Sequence, residues 1–306
     1  MKNFLIAALL FATIGNVNAG NIFSRDNSEE LEPSTPPKIM LAPKKLKIQS
    51  KLKFESFLRQ LEYDPEYREA AQGIRELDCK GCELSMLHRG IRHLKNLESL
   101  DLRDNKFATF STEISWLENL EQLDLSNNQL TELPETICAL LKLKTLHLVE
   151  NNFTIFPKYI EWLDLESLIL SNNNLTTLPQ EIIWLENLKT LGLSNNQLRT
   201  LPPEIGNLKN LTSLGLSGNR LTELPSEILN LNNLRLITLS SPLTSLLQQL
   251  WNMPGIREIW LSNFDDVTKL IPPEILPPET IRRHTKENKF TTIECGTLQI
   301  TIESQP

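Results

Sequence analysis

The sequence predicts an α/β solenoid. Short repeated strands stack into a concave parallel sheet, closed by a helical N-terminal cap and a C-terminal β-hairpin cap. Three observations predict it. The chain of 306 residues restates one pattern every 23 residues, with a single copy of 22, and a fixed period in this range marks a stack of supersecondary units. Six copies open on Leu-x-x-Leu-x-Leu and reach Asn three residues later, as in Leu120, Leu123, Leu125 and Asn128. The segments before Ile74 and after Leu276 follow other patterns, as the ends of a stack must.

In chain order, Met1–Ala19 reads as a secretory signal peptide. Lys2 gives a positive start, Phe4 to Ile14 is apolar, and Val17-Asn18-Ala19 is a small-residue cleavage signature. Residues 20–43 carry Pro33, Pro36, Pro37 and Pro43 and read as a flexible lead-in. Residues 44–73 place Leu46, Ile48, Leu52, Phe54, Phe57, Leu58 and Leu61 near helical spacing, so one or two helices, broken near Asp64-Pro65, are expected to cap the first strand. The solenoid covers residues 74–276 in about nine copies, and residues 277–306 form the C-terminal cap. In that cap Phe290–Glu294 and Thr297–Ile302 read as two strands. The last two copies are degenerate, with Pro242 and Phe264 where Asn stands elsewhere.

The repeat has a physical reading. Leucines two apart share one face of a strand, and the residues between them face the other way. Asn105, Asn128, Asn151, Asn173, Asn196 and Asn219 are placed to satisfy buried backbone groups, because an amide side chain both donates and accepts. Asn127, read as exposed, is expected to tolerate Ala at under about 0.5 kcal/mol. The Leu-Pro step turns the chain into a convex return, since Pro fixes φ and cannot donate to a sheet. In the first copy Cys79 takes a core leucine position and Cys82 the Asn position. The Cys-x-x-Cys spacing is therefore structural; no second pair completes a zinc site.

Repeats with an LP step and an Ile-x-x-Leu-x-Asn tail resemble leucine-rich repeats (horseshoe solenoids) of secreted bacterial proteins such as those of leptospires. They are also similar to plant and animal Ras-group-related leucine-rich repeat proteins. The resemblance covers about two thirds of the chain, and it implies protein recognition on the concave sheet.

Composition places the chain among soluble globular proteins: 40% hydrophobic, 23% charged, net charge -7. That balance lacks the basic stripe a nucleic acid needs. No membrane span, cofactor, metal site or catalytic group is expected, and the chain is read as a monomer outside the cytoplasm: secreted, periplasmic or at the cell surface. A cytoplasmic or host-directed scaffold for signalling proteins is the alternative; a hydrolase is set aside because His88, His93, His147 and His284 are scattered. Outward sheet positions carry Asp101, Arg103 and Asp124, then His147, Val149, Ile169, Leu236 and Trp260. The carboxylates are expected to steer basic groups, and Ile169 and Trp260 to anchor a protein partner. Burial of Trp260 under the C-terminal hairpin is the competing expectation. Trp116, Trp162 and Trp184 form a separate convex set, in which Trp162 and Trp184 are placed to touch.

Overall fold

The computed structural model describes residues 44–240, 250, 253, 255–262, 282–286, 290–295 and 298–303. The signal sequence, the lead-in, Pro242 and Phe264 lie outside the described residues. Residues up to 128 with 133–143 form one compact unit, and 129–132 with the residues from 144 form a second.

The first unit is a parallel sheet of β1 (Lys45–Lys47), β2 (Glu76–Asp78), β3 (Ser99–Asp101) and β4 (Gln122–Asp124), in chain order. Helices α1 (Lys51–Tyr63) and α2 (Pro65–Ala70) stand between β1 and β2. The break falls at Asp64, whose carboxylate accepts from the amides of Glu66 and Tyr67, and Pro65 opens α2. An N-cap acceptor followed by a residue that needs no amide partner restarts a helix at that point. The sequence reading put Leu46 and Ile48 in a helix, and the structure corrects this. Leu46 pairs with Leu77, and the Ile48 amide donates to the Asp78 carbonyl. These two residues are the strand leucines of a truncated repeat, so the sheet begins one strand before the first full copy. Phe54, Phe57, Leu58 and Leu61 of α1 are buried behind it.

The second unit holds β5 (Thr145–His147), β6 (Ser167–Ile169), β7 (Thr190–Gly192), β8 (Ser213–Gly215), β9 (Leu236–Ser240) and β10 (Glu258–Ser262), parallel and in chain order. Beyond β10 lies β13 (Leu298–Glu303), also parallel, then β12 (Phe290–Cys295) and β11 (Arg282–Lys286), antiparallel. The expected hairpin is β12–β13; β11 is a third strand that the sequence did not announce.

The returns are 3-10 turns rather than α-helices, five residues long in Glu135–Ala139 and Pro203–Asn207 and three in Ile160–Trp162. A 3-10 turn rises about 2.0 Å per residue against about 1.5 Å for an α-helix. It therefore spans a short return with fewer residues. Pro134, Pro179, Pro202 and Pro225 stand just before the turns with extended backbone, and Ser111 replaces Pro there by capping Glu113. Ile and Leu of each turn are buried with the strand leucines; Ile182 and Leu185 are examples.

The asparagine ladder forms within each unit. Asn105 accepts from the Leu84 amide at 2.9 Å and donates to the Cys79 and Leu102 carbonyls at 3.0 and 2.9 Å. Asn173 repeats this on the Phe153 amide and the Leu148 and Leu170 carbonyls. Each amide thus joins its own copy to the preceding one. Cys82 keeps the donor role alone, its thiol 2.9 Å from the Ile48 carbonyl. Burial pushes its pKa up to about 11, and burial also pushes that of Cys79 well above the ordinary thiol value. Both are therefore protonated core groups.

Candidate protein-binding face

The outward residues of the first unit form a charged strip. Lys45, Lys47, Lys80 and Arg103 are basic; Glu76, Asp78, Asp101 and Asp124 are acidic. The strip pairs internally. Lys45 reaches Glu76 at 3.1 Å and Lys47 reaches Asp78 at 3.2 Å. Arg103 grips Asp101 through Nε and Nη2, the latter at 2.6 Å, and lies 3.4 Å from Asp124. This contact raises the Arg103 pKa further, chiefly through the Asp101 hydrogen bond. Lys80 turns instead to Asp104 at 3.2 Å. In addition, Asp78, Asp101 and Asp124 each accept from the amide two residues on. Asp101 and Asp124, expected to steer basic groups, are thus both engaged by Arg103.

The second unit differs. One row in cross-strand register runs His147, Ile169, Gly192, Gly215, Thr238, Trp260 and Thr301. Trp260 is 43% exposed although β13 lies beside it. The C-terminal strand extends the sheet past the indole rather than covering it, and the indole N–H donates to Glu258 at 3.3 Å. His147, Val149, Ile169 and Leu236 are half-buried. Ile169 leans over Gly192: a β-carbon there would lie 3.0 Å from Ile169 Cγ2. Ser194 Oγ and Thr238 Oγ1 meet at 3.4 Å near Gly215. The floor between the apolar residues is thus a lattice of small hydroxyls, with Ser171, Ser217 and Ser262 alongside. Four strand steps separate Ile169 from Trp260, about 19 Å at the usual strand spacing. The row was legible from the 23-residue spacing. The place of Thr301 was not, since it depends on which strand covers β10.

His88 and His93 serve structure. His88 Nδ1 caps the Gly90 amide, and His93 packs by Glu62. No group of three or more His, Cys, Asp or Glu among the described residues could hold a metal. None of their helices is long and apolar enough to cross a membrane.

Residues 95–153 and 164–221 match the leucine rich repeat family. The chain is a leucine-rich repeat protein. The gap between the two matches, 154–163, holds the return of the 22-residue copy. A leucine-rich repeat protein of Leptospira interrogans is 35% identical, with 62% of each chain covered and a TM-score of 0.40. The plant peptide hormone receptor RGFR1 in complex with RGF2 is 27% identical over 63% of this chain and 37% of the receptor, at a TM-score of 0.50. Internalin C2 of Listeria monocytogenes shares the fold at 24% identity over 68% of this chain and 91% of its own, at a TM-score of 0.55. This leucine-rich repeat chain spans less than two thirds of the leptospiral protein and of the plant receptor. No curated protein matches it.

Proposed function

We propose that this leucine-rich repeat protein is a secreted, non-catalytic module that holds a protein partner on the outward face of its second unit. The observation that carries the reading is the register row in which Ile169 and Trp260 stand either side of Gly192, Gly215 and Thr238. An outward sheet face normally carries polar side chains, so Val149, Ile169, Leu236 and Trp260 stand out against it. A half-exposed indole flanked in register by Thr238 and Thr301 is the kind of anchor that dominates binding energy. The plant receptor supports the reading, since it is a peptide receptor in complex with RGF2. Secretion rests on the Met1–Ala19 pattern.

Capture with the mature chain, followed by titration of the captured protein, tests the site. Trp260→Ala is expected to weaken that complex by about 2 kcal/mol or more. Ile169→Ala should weaken it as well. Unchanged affinity for both folded variants rules the face out. Sequencing of natively expressed protein is expected to begin at Gly20. An intact Met1 on cytoplasmic protein overturns secretion and favours an intracellular scaffold.

A further inference from the structure

On the side of the returns, the second unit carries a different surface. The 22-residue copy shortens its return to Ile160–Trp162, entered through Tyr159 with φ of 69°. The later returns of the unit run five residues, from Gln180–Trp184 onward. A cleft of about 480 Å³ opens beside the short return. Ile155, Pro157 and Pro179 are apolar groups of its wall, and Lys158, Glu161 and Glu181 are its charges. Trp162, which follows Glu161, and Trp184, three residues after Glu181, are 62% and 51% exposed. Their ring centroids lie 5.4 Å apart at an interplanar angle of 54°.

Packing does not demand these indoles. The same position in the next two copies is Asn207 and Asn230, both exposed, and the returns form equally well there. Nor are the cleft carboxylates spoken for. Asp164 pairs with Lys144 and Glu166 with Lys189, yet among the described residues Glu161 and Glu181 make no ion pair. Lys158, also unpaired there, leaves the cleft with an excess of one negative charge. Exposed aromatic faces beside unpaired carboxylates match one side-chain chemistry above others. A guanidinium stacks on an indole and pairs with a carboxylate through the same planar group.

We propose that this face docks an arginine-bearing protein segment, with guanidinium groups stacked on Trp162 and Trp184 and paired to Glu161 and Glu181. The surface is distinct from the outward row that holds Trp260.

The test uses the full mature chain and two synthetic peptides, hexa-arginine and its uncharged isostere hexa-citrulline, followed by calorimetry. Hexa-arginine should bind, more weakly as salt rises. Trp162→Asn with Trp184→Asn installs the residue of the following copies, so the fold is kept. That variant should bind about tenfold more weakly, the equivalent of roughly 1.4 kcal/mol from two stacking contacts. Glu161→Gln with Glu181→Gln should also lose affinity, whereas Trp260→Ala should leave it unchanged. Two outcomes overturn the proposal. One is equal hexa-arginine affinity for the tryptophan variant with an unaltered melting midpoint, which leaves only diffuse attraction to a chain of net charge -7. The other is hexa-citrulline binding as tightly as hexa-arginine, which means that an uncharged partner suits the cleft.

Discussion

Asn173 and Asn127 show how differently two asparagines of neighbouring columns act. Asn173 is buried and ties one amide to two main carbonyl partners across copies. Asn173→Ala leaves those groups unsatisfied and should cost roughly 1–3 kcal/mol, read as a drop in the denaturation midpoint. Asn127 is exposed, and its replacement by Ala was expected to cost little. The structure corrects that expectation. Asn127 sits at φ 53°, in the left-handed region, and donates to Asp104 at 2.7 Å. That bond is the main reason the Asp104 carboxyl is held below its usual range, with Lys80 adding to it. Ala pays about 1–2 kcal/mol in that conformation besides losing the bond. Asn127→Gly keeps the conformation and loses only the bond, so it should destabilise less than Asn127→Ala. Equal midpoints for the two would mean that backbone strain is not the larger part. Asp101 follows the same logic. Its engagement by Arg103 predicts that Asp101→Asn lowers the urea midpoint and leaves partner association rates unchanged, measured side by side.

At the scale of elements, the junction of α1 with the first return is the most constrained contact in the first unit. Glu62, on α1, has a side chain 6% exposed and meets Arg89 at 3.2 Å, Arg92 at 3.1 Å and His93 at 3.5 Å. The Glu62 side chain is buried, whereas Arg89 and Arg92 are 55% and 39% exposed and stay solvated when the carboxylate is lost. Glu62→Gln should therefore lower the thermal denaturation midpoint only modestly. Gly90 lies against the same helix. A β-carbon there would fall 2.0 Å from the Leu58 carbonyl oxygen, so Gly90→Ala must push α1 away from the return. His93 adds a pH dependence. Burial lowers its pKa, and Arg68 and Arg92 lower it further, against the opposing pull of Glu62. The folded chain then binds fewer protons than the unfolded one near the ordinary histidine value of about 6.5. The stability that neutral His93 contributes is present above that value and is lost as pH falls through the lowered one. His93→Asn should flatten the fall in stability between about pH 7 and pH 5, measured by urea titration.

At the scale of the molecule, the thiols report on opening of the core. Cys79 and Cys82 are buried and protonated, while Cys138 is half-buried on a return. Alkylation of the native protein at pH 8 should mark Cys138 before Cys79 and Cys82. Cys79 should react only at the rate set by opening of the first unit, since a thiolate must form before it can attack. Modification of Cys79 as fast as Cys138, followed by mass spectrometry, would contradict the core assignment.

The sequence by itself determined the repeat, the strands from β2 to β10, the ladder and the row from His147 to Trp260. These follow from the period, because each side chain in a stack meets its counterpart one copy away. It also placed Trp162 beside Trp184 for the same reason, and their rings do touch. What it could not determine is what breaks the period. Leu46 and Ile48 lack the rest of a repeat, so only their pairing with the next strand shows them as one. Arg103 could face solvent or Asp101; the choice depends on the rotamer that its neighbours allow. Trp260 could be covered or open, and the parallel seating of β13 beside β10 leaves it open. Periodicity fixes neighbours that recur, whereas contacts made once are settled only when distant parts of the chain pack together.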